Sequence, residues 1–399
     1  MTPPPPDPSG PPPSAPDETV PGGTAPDEVG LGETPSTTPD PFSVGTSPEG
    51  PSDDQAESVP DNSLQVSTEA GEVEAPTGGD APSASDHATL VGWIRVLAGA
   101  VLFAVALRVL VFEAYRIPSS SMEDTLLIGD FVLVSKLHYG PRVLGARLPG
   151  FSEVGRGDVM VFNHPPDLTP EVERRTPYIK RVVGLPGDTI AIRAKRVFAG
   201  RAEVPGPRLG RLLWTVGGRL PTGGVLDTLG LGGRVERLGR GAWAVSATAD
   251  QARRLAEVEG VESVEPYVRP VGDGSAGFPA ALRYSLDDYG PLVVPQSGLA
   301  VTLSDETWPV YRAVIERFEG HTAERTAEGF LIDGRPADAV TFRQDYYLVL
   351  GDSRDDSADS RTWGFVPRDH VIGRAVGVYF SWDEEAGKPR WSRIGSGVE

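Results

Sequence analysis

Three serines, Ser119-Ser120-Ser121, stand between Ile117-Pro118 and Met122, just after a long apolar stretch; farther along, Lys180 sits within Tyr178-Ile-Lys-Arg-Val-Val183. Amide hydrolysis by serine needs a base to take the hydroxyl proton, and a lysine can serve in place of the usual histidine. An exposed lysine holds its proton up to a pH of about 10.4. Burial disfavours the ammonium and can lower that value by ~3–5 units. Lys180 follows Ile179 and precedes Val182 and Val183 in a strand-like run, so apolar surroundings are expected for it. A third segment, Gly351-Asp-Ser-Arg-Asp-Asp-Ser-Ala-Asp-Ser-Arg361, is rich in acids, with Asp352, Asp355, Asp356 and Asp359 among them. It lacks the D-x-[DN]-x-[DN]-G register of a calcium loop, and its two arginines favour internal Arg–carboxylate pairing.

Other chemistries find no footing. The chain of 399 residues has no cysteine, which removes disulfides, thiolate nucleophiles and Cys-ligated metal sites. It holds neither an H-E-x-x-H metal motif nor a G-x-S-x-G nucleophile elbow. The five histidines, His87, His138, His164, His321 and His370, fall in loops, strand ends and the N-terminal region without an obvious carboxylate partner. No metal and no organic cofactor is expected. Nucleic-acid binding is not expected either, because it needs a basic surface. Residues 1–90 carry 17 acids and no Lys or Arg, and the remaining 309 residues carry 37 bases against 39 acids.

The elements that must position these residues fall into five stretches. Residues 1–87 are rich in proline and acid and are expected to form a disordered, solvated tail, since such a composition buries too little apolar surface to offset chain entropy. Residues 88–112, ATLVGWIRVLAGAVLFAVALRVLVF, are long enough as a helix to cross a ~30 Å hydrocarbon core. Their two arginines, Arg95 and Arg108, would lie near opposite boundaries, where long side chains snorkel to the headgroups. Charge alone does not set the orientation of this span, because the tail has no basic residues. From residue 113 onward, short Val/Ile/Phe-rich runs punctuated by Gly, Pro and Asp predict a mainly antiparallel β core. Strands are expected at Phe131–Lys136, Asp158–Phe162, Tyr178–Val183, Thr189–Ile192 and Tyr346–Leu350. Residues 193–327 are looser and read as a small α+β insertion, separating core segments 113–192 and 328–399. Within it, Thr248-Ala-Asp-Gln251 is a capping box opening a helix that Gly260 ends. Strands are expected on either side, at Trp243–Ala247 and Val261–Glu265, and a second helix over Pro309–Phe318.

At the serine run, the Lys180 strand and the Gly351–Arg361 loop, the chain resembles the type I signal peptidases, membrane-anchored Ser/Lys endopeptidases that remove signal peptides from secreted preproteins. The resemblance covers about residues 90–192 and 328–380 and extends to motif order and spacing. It implies that Ser121 is the nucleophile and Lys180 the base, with Ser119 contributing to the oxyanion hole and Ser120 tolerant of change. It further implies that Ser357 orients Lys180, that Asp359 and Arg361 pair to hold the loop, and that Ile117, Pro118, Leu126, Val132, Tyr178 and Ile179 line pockets for small side chains. The expected partners are signal peptides and the lipid bilayer, with the catalytic domain on the extracytoplasmic side of the cytoplasmic membrane. No partner for the tail or the insertion is indicated. One departure concerns the run Met122-Glu-Asp-Thr-Leu126, where Asp124 occupies a position usually held by proline; others are Ser353 and Asp356, where asparagine is usual. Two alternatives are a different Ser/Lys peptidase, such as a self-cleaving repressor, and a catalytically inactive scaffold of the same fold. The apolar stretch counts against the first and the intact Ser121 and Lys180 against the second.

Overall fold

The computed structural model describes residues 84–143, 146–269 and 277–398. The expected tail therefore lies outside the described residues except for its last few, which begin a helix, Ala84–Leu110. Along the described part of this helix, large apolar side chains stand exposed, Trp93, Leu97, Leu102 and Phe103 among them. The expected span over 88–112 falls partly on side chains outside the description, and among the described residues no helix is long and apolar enough to cross a membrane.

The helix runs directly into the main sheet, whose strands in chain order are β1 (Phe112–Arg116), β2 (Asp130–Ser135), β3 (Val159–Asn163), β4 (Pro177–Gly184), β5 (Tyr346–Leu350), β6 (Val366–Pro367) and β7 (Val371–Asp383). Their spatial order is β1-β2-β7-β3-β4-β5-β6, with a short strand, Lys388–Pro389, paired to the far end of β7. Every pairing along this path is antiparallel. The architecture is mainly β, as the Val/Ile-rich runs predict, and the strand edges differ from the expected ones by a residue or so. β3 (VMVFN) is buried along its whole length, whereas β4 (PYIKRVVG) is buried only from Lys180 onward, its exposed Pro177 and half-buried Tyr178 and Ile179 lying at a cleft beside Ser121.

The stretch 193–327 packs in two ways. Strands Val235–Gly239, Ala242–Thr248, Arg211–Gly218 and Val261–Pro266 form, in that order, a separate four-stranded sheet. Its core is Val216, Leu226, Leu231, Val245, Ala247 and Leu255. The capping box is present, Thr248 Oγ1 accepting from the Gln251 amide at 3.3 Å and the Gln251 side chain accepting from the Thr248 amide at 3.0 Å, and it opens the helix Ala249–Ala256. By contrast Val197, Leu292, Trp308 and Tyr311 share one buried cluster with Ile192 and with Leu348 and Leu350 of β5. The helix Trp308–Arg317 thus packs into the same core as the main sheet and carries a proline in its first turn.

Candidate active site

The segment joining β1 to β2 carries the serines. It is closed at its base by two backbone bonds, Ile117 N to Asp130 O at 2.8 Å and Gly129 N to Ile117 O at 3.0 Å. Met122 and Leu126, joined by a backbone bond of 2.7 Å, are fully buried beside Ile117, Val132 and Val161. These anchors pin the chain on both sides of Glu123 and Asp124 and carry Ser121 into contact with β4. Ser121 is 8% exposed, and its carbonyl accepts from the Ser353 amide at 3.0 Å, so the loop after β5 holds the serine from the other side.

Lys180 reaches Ser121 from β4. Lys180 Nζ lies 2.7 Å from Ser121 Oγ and donates to the Ile179 carbonyl at 2.9 Å. The side chain is 3% exposed. Its neighbours two residues away, Tyr178 and Val182, and its cross-strand partner Met160 belong to one apolar cluster. That burial lowers the lysine pKa to about 8, although the more distant charges of Asp359 and Asp352 pull the other way. The amine is therefore poised between its charged and neutral forms near physiological pH.

The loop after β5 is fastened by two buried ion pairs. Asp359 caps the short helix Ser360–Trp363 and takes a two-point contact from Arg361, both bonds 2.8 Å. It also accepts from the Gly351 amide at 3.0 Å. Burial alone would raise the Asp359 carboxyl, but Arg361 and the Gly351 amide outweigh it and hold the group below the usual carboxylate range. Arg361 is completed by the Leu286 and Arg354 carbonyls, at 3.1 and 2.6 Å. The second pair is Asp352 with Arg181, again two-point, at 2.8 and 2.7 Å, and Thr125 donates to the same carboxylate at 2.7 Å. Arg181 was not singled out from the sequence, and Asp352 was noted only among the acids of the loop, with pairing expected inside that loop. A charged residue beside Lys180 in a run of valines points to the opposite face of the sheet and needs a buried partner there, which was the available signal.

A cleft of about 450 Å³ beside the Ser121–Lys180 contact is lined by Pro118, Ser119, Tyr178, Ile179 and Ala358, among others. Three of the six residues expected to line substrate pockets are thus there. Ile117, Leu126 and Val132 do not line this cleft; each is buried in one cluster with Met122, Val134, Val159 and Val161. Ser119 Oγ lies 3.4 Å from Ser121 Oγ, and Ser120 turns away to donate to the Asp356 carboxylate at the mouth of the cleft. Ser357 lines the cleft but is not brought into a bond with Lys180, whose near partners are Ser121 and the Ile179 carbonyl. The Ser357 side chain packs over the Gly351 Cα, where a Cβ would meet it at 2.5 Å or less. Its hydroxyl has no hydrogen bond of regular geometry, its weak contact being with the Asp359 carboxylate. Among the described residues no group of three or more His, Cys, Asp or Glu is arranged to hold a metal ion.

A family model described as signal peptidase, peptidase S26, matches residues 90–211 and 312–382. The chain is similar to the signal peptidase I of Pseudomonas fluorescens, 28% identical over 311 residues that make up 74% of this chain and 75% of that protein. It is 30% identical over 281 residues to the signal peptidase I of Aquifex aeolicus (strain VF5), covering 70% of this chain and 80% of that protein. For the signal peptidase I of Pseudomonas aeruginosa the identity is 26% over 352 residues, 84% of this chain and 89% of that one.

Proposed function

The chain belongs to the signal peptidase family, peptidase S26, a family of serine endopeptidases, and on that premise we propose that it removes signal peptides from preproteins by a Ser121/Lys180 mechanism. The observation that carries the reading is the 2.7 Å contact between Lys180 Nζ and Ser121 Oγ, both side chains nearly buried at the cleft. With the amine neutral, the contact runs in the useful sense: Ser121 O–H donates to the Nζ lone pair. The hydroxyl oxygen attacks the scissile carbonyl as its proton moves to Lys180, and the tetrahedral oxyanion is stabilised by the Ser121 amide and the Ser119 hydroxyl. Lys180 then returns the proton to the departing amine, the C–N bond breaks, and an acyl ester remains on Ser121. Water, losing a proton to the same lysine, hydrolyses the ester and restores the enzyme.

The same reading keeps the expected span, residues 88–112, in the lipid bilayer of the cytoplasmic membrane as a single crossing, with the β domain on the extracytoplasmic side. The exposed Trp93, Leu97, Leu102 and Phe103 support it, since such a surface is costly in water and favourable in lipid. It also treats 193–327 as an insertion within a catalytic core of 113–192 and 328–399. The loop position of the nucleophile beside the small, shallow cleft suits the short side chains that flank signal-peptide cleavage sites.

Detergent-solubilised protein incubated with a preprotein provides the test. Wild type is expected to trim it at a small-residue site and Ser121→Ala to leave it intact; equal trimming by both ends the proposal. The pH profile follows from the lysine. Because the base must be neutral, kcat/KM should rise with pH, tenfold per unit on the acid side, and level off above about 8. A profile already flat at pH 6 would show that an amine with this pKa is not the base. Ser120→Ala removes only an exposed bond to Asp356 and is expected to change kcat/KM less than about twofold, measured in the same assay.

A further inference from the structure

Glu123 and Asp124 follow the nucleophile by two and three residues, between the buried anchors Met122 and Leu126; Asp124 meets Arg211, the first residue of a strand of the separate four-stranded sheet, and Glu123 meets Arg234, the residue leading into another. Arg234 contacts Glu123 at two points, 3.0 and 2.7 Å. Arg211 contacts the Asp124 carboxylate, is 2% exposed, and is steadied by the Ser246 carbonyl at 2.6 Å. Its backbone bridges to the loop that holds Ser121, the Arg211 amide donating to Asp352 O at 2.9 Å and Arg211 O accepting from Arg354 N at 3.0 Å. Between those two residues lies Ser353, whose amide binds the Ser121 carbonyl. Arg211 therefore meets the serine loop along two routes, through its own side chain and through the loop after β5. Asp124 has φ +70°, a left-handed conformation that costs a non-glycine residue roughly 1–2 kcal/mol and persists only where the surroundings hold it.

On the Ser121/Lys180 reading, we propose that Arg211 and Arg234 are positioning residues, which set the nucleophile loop through Asp124 and Glu123 and make the four-stranded sheet part of the catalytic framework. Neither arginine lines the cleft, so their removal should loosen Ser121 and its amide without altering substrate contacts. Displacing a nucleophile by about an ångström can cost on the order of 100-fold in rate. The Arg234–Glu123 pair is one-third and one-quarter exposed, and pairs of that kind add little to stability. A rate effect at Arg234 is accordingly separable from unfolding.

The experiment combines preprotein cleavage with hydrogen exchange in the full-length protein. Arg234→Gln is expected to lower kcat about tenfold and Arg211→Gln on the order of 100-fold, with KM within about twofold. Amides of residues 119–125 should exchange faster in both variants while the main sheet is unchanged. Arg234→Glu should be worse than Arg234→Gln, and adding Glu123→Arg should recover most of that loss. Should Arg211→Gln fail to fold, Arg234→Gln and the charge swap decide alone. A kcat within twofold of wild type in Arg234→Gln, a loss carried wholly by KM, or unchanged exchange at 119–125 overturns the proposal. If wild type cleaves no preprotein, the proposed function fails, and the exchange data still decide whether the arginines hold the loop.

Discussion

Lys180→Met is expected to abolish preprotein cleavage, lowering kcat/KM by about 10⁴-fold or more, as for other enzymes in which nucleophile and base act as a unit. Methionine has a similar length and suits the apolar surroundings of Met160, Val182 and Tyr178, so the fold should survive. Stability should in fact increase. The folded protein lowers the lysine pKa from 10.5 to about 8, so the buried ammonium is a net cost while the group is charged. At ~1.4 kcal/mol per unit, that cost is about 3 kcal/mol. It is fully present below pH 8, and it fades as pH rises to 10.5, where the unfolded lysine also loses its proton. Urea unfolding of wild type and Lys180→Met should therefore differ most at pH 7 and converge toward pH 10.5. Near-wild-type cleavage by Lys180→Met would remove the proposed base, whatever the unfolding data show.

The second large effect is expected at Arg361. Arg361→Met leaves Asp359 fully buried with its charge unmatched, and breaking a buried pair in that way costs about 3–5 kcal/mol. Denaturant midpoints should fall accordingly, and kcat with them, because the same loop presents the Ser353 amide to Ser121. Converting Asp359 to Asn in the same protein removes the stranded charge and should restore part of the stability. If Arg361→Met unfolds at the same urea concentration as wild type, the pair does not secure the loop.

Part of this arrangement was legible from residue order: the strands carry a plain β signature, and a lysine among valines announces burial. The choice of Ser121 among three serines, and the roles of Ser119, Ser357, Asp359 and Arg361, rested on the resemblance to the signal peptidases. The capping box at Thr248 was likewise readable because its residues are neighbours in the chain. What escaped is what depends on distant partners. Ile117, Leu126 and Val132 look the same in sequence whether they face a cleft or a core, since both are apolar; their place in one buried cluster with Val159 and Val161 comes from the tertiary packing. The contacts of Asp124 with Arg211 and of Asp352 with Arg181 join segments far apart in the chain, with no periodicity to announce them. Ser357 shares the cleft with Lys180 but is not hydrogen-bonded to it, and its place over the Gly351 Cα is a tertiary detail that the order of residues does not show.

The backbone angle at residue 124 also bears on protein engineering. Swapping an unusual residue for a family's usual one is a common route to sturdier enzymes, and the resemblance to the signal peptidases would on that rule suggest Asp124→Pro. A pyrrolidine ring is locked at about −65°, whereas this position sits at +70°. The edit would force the loop into another path and take the Asp124 carboxylate from Arg211, so a library built on family averages should leave this residue alone.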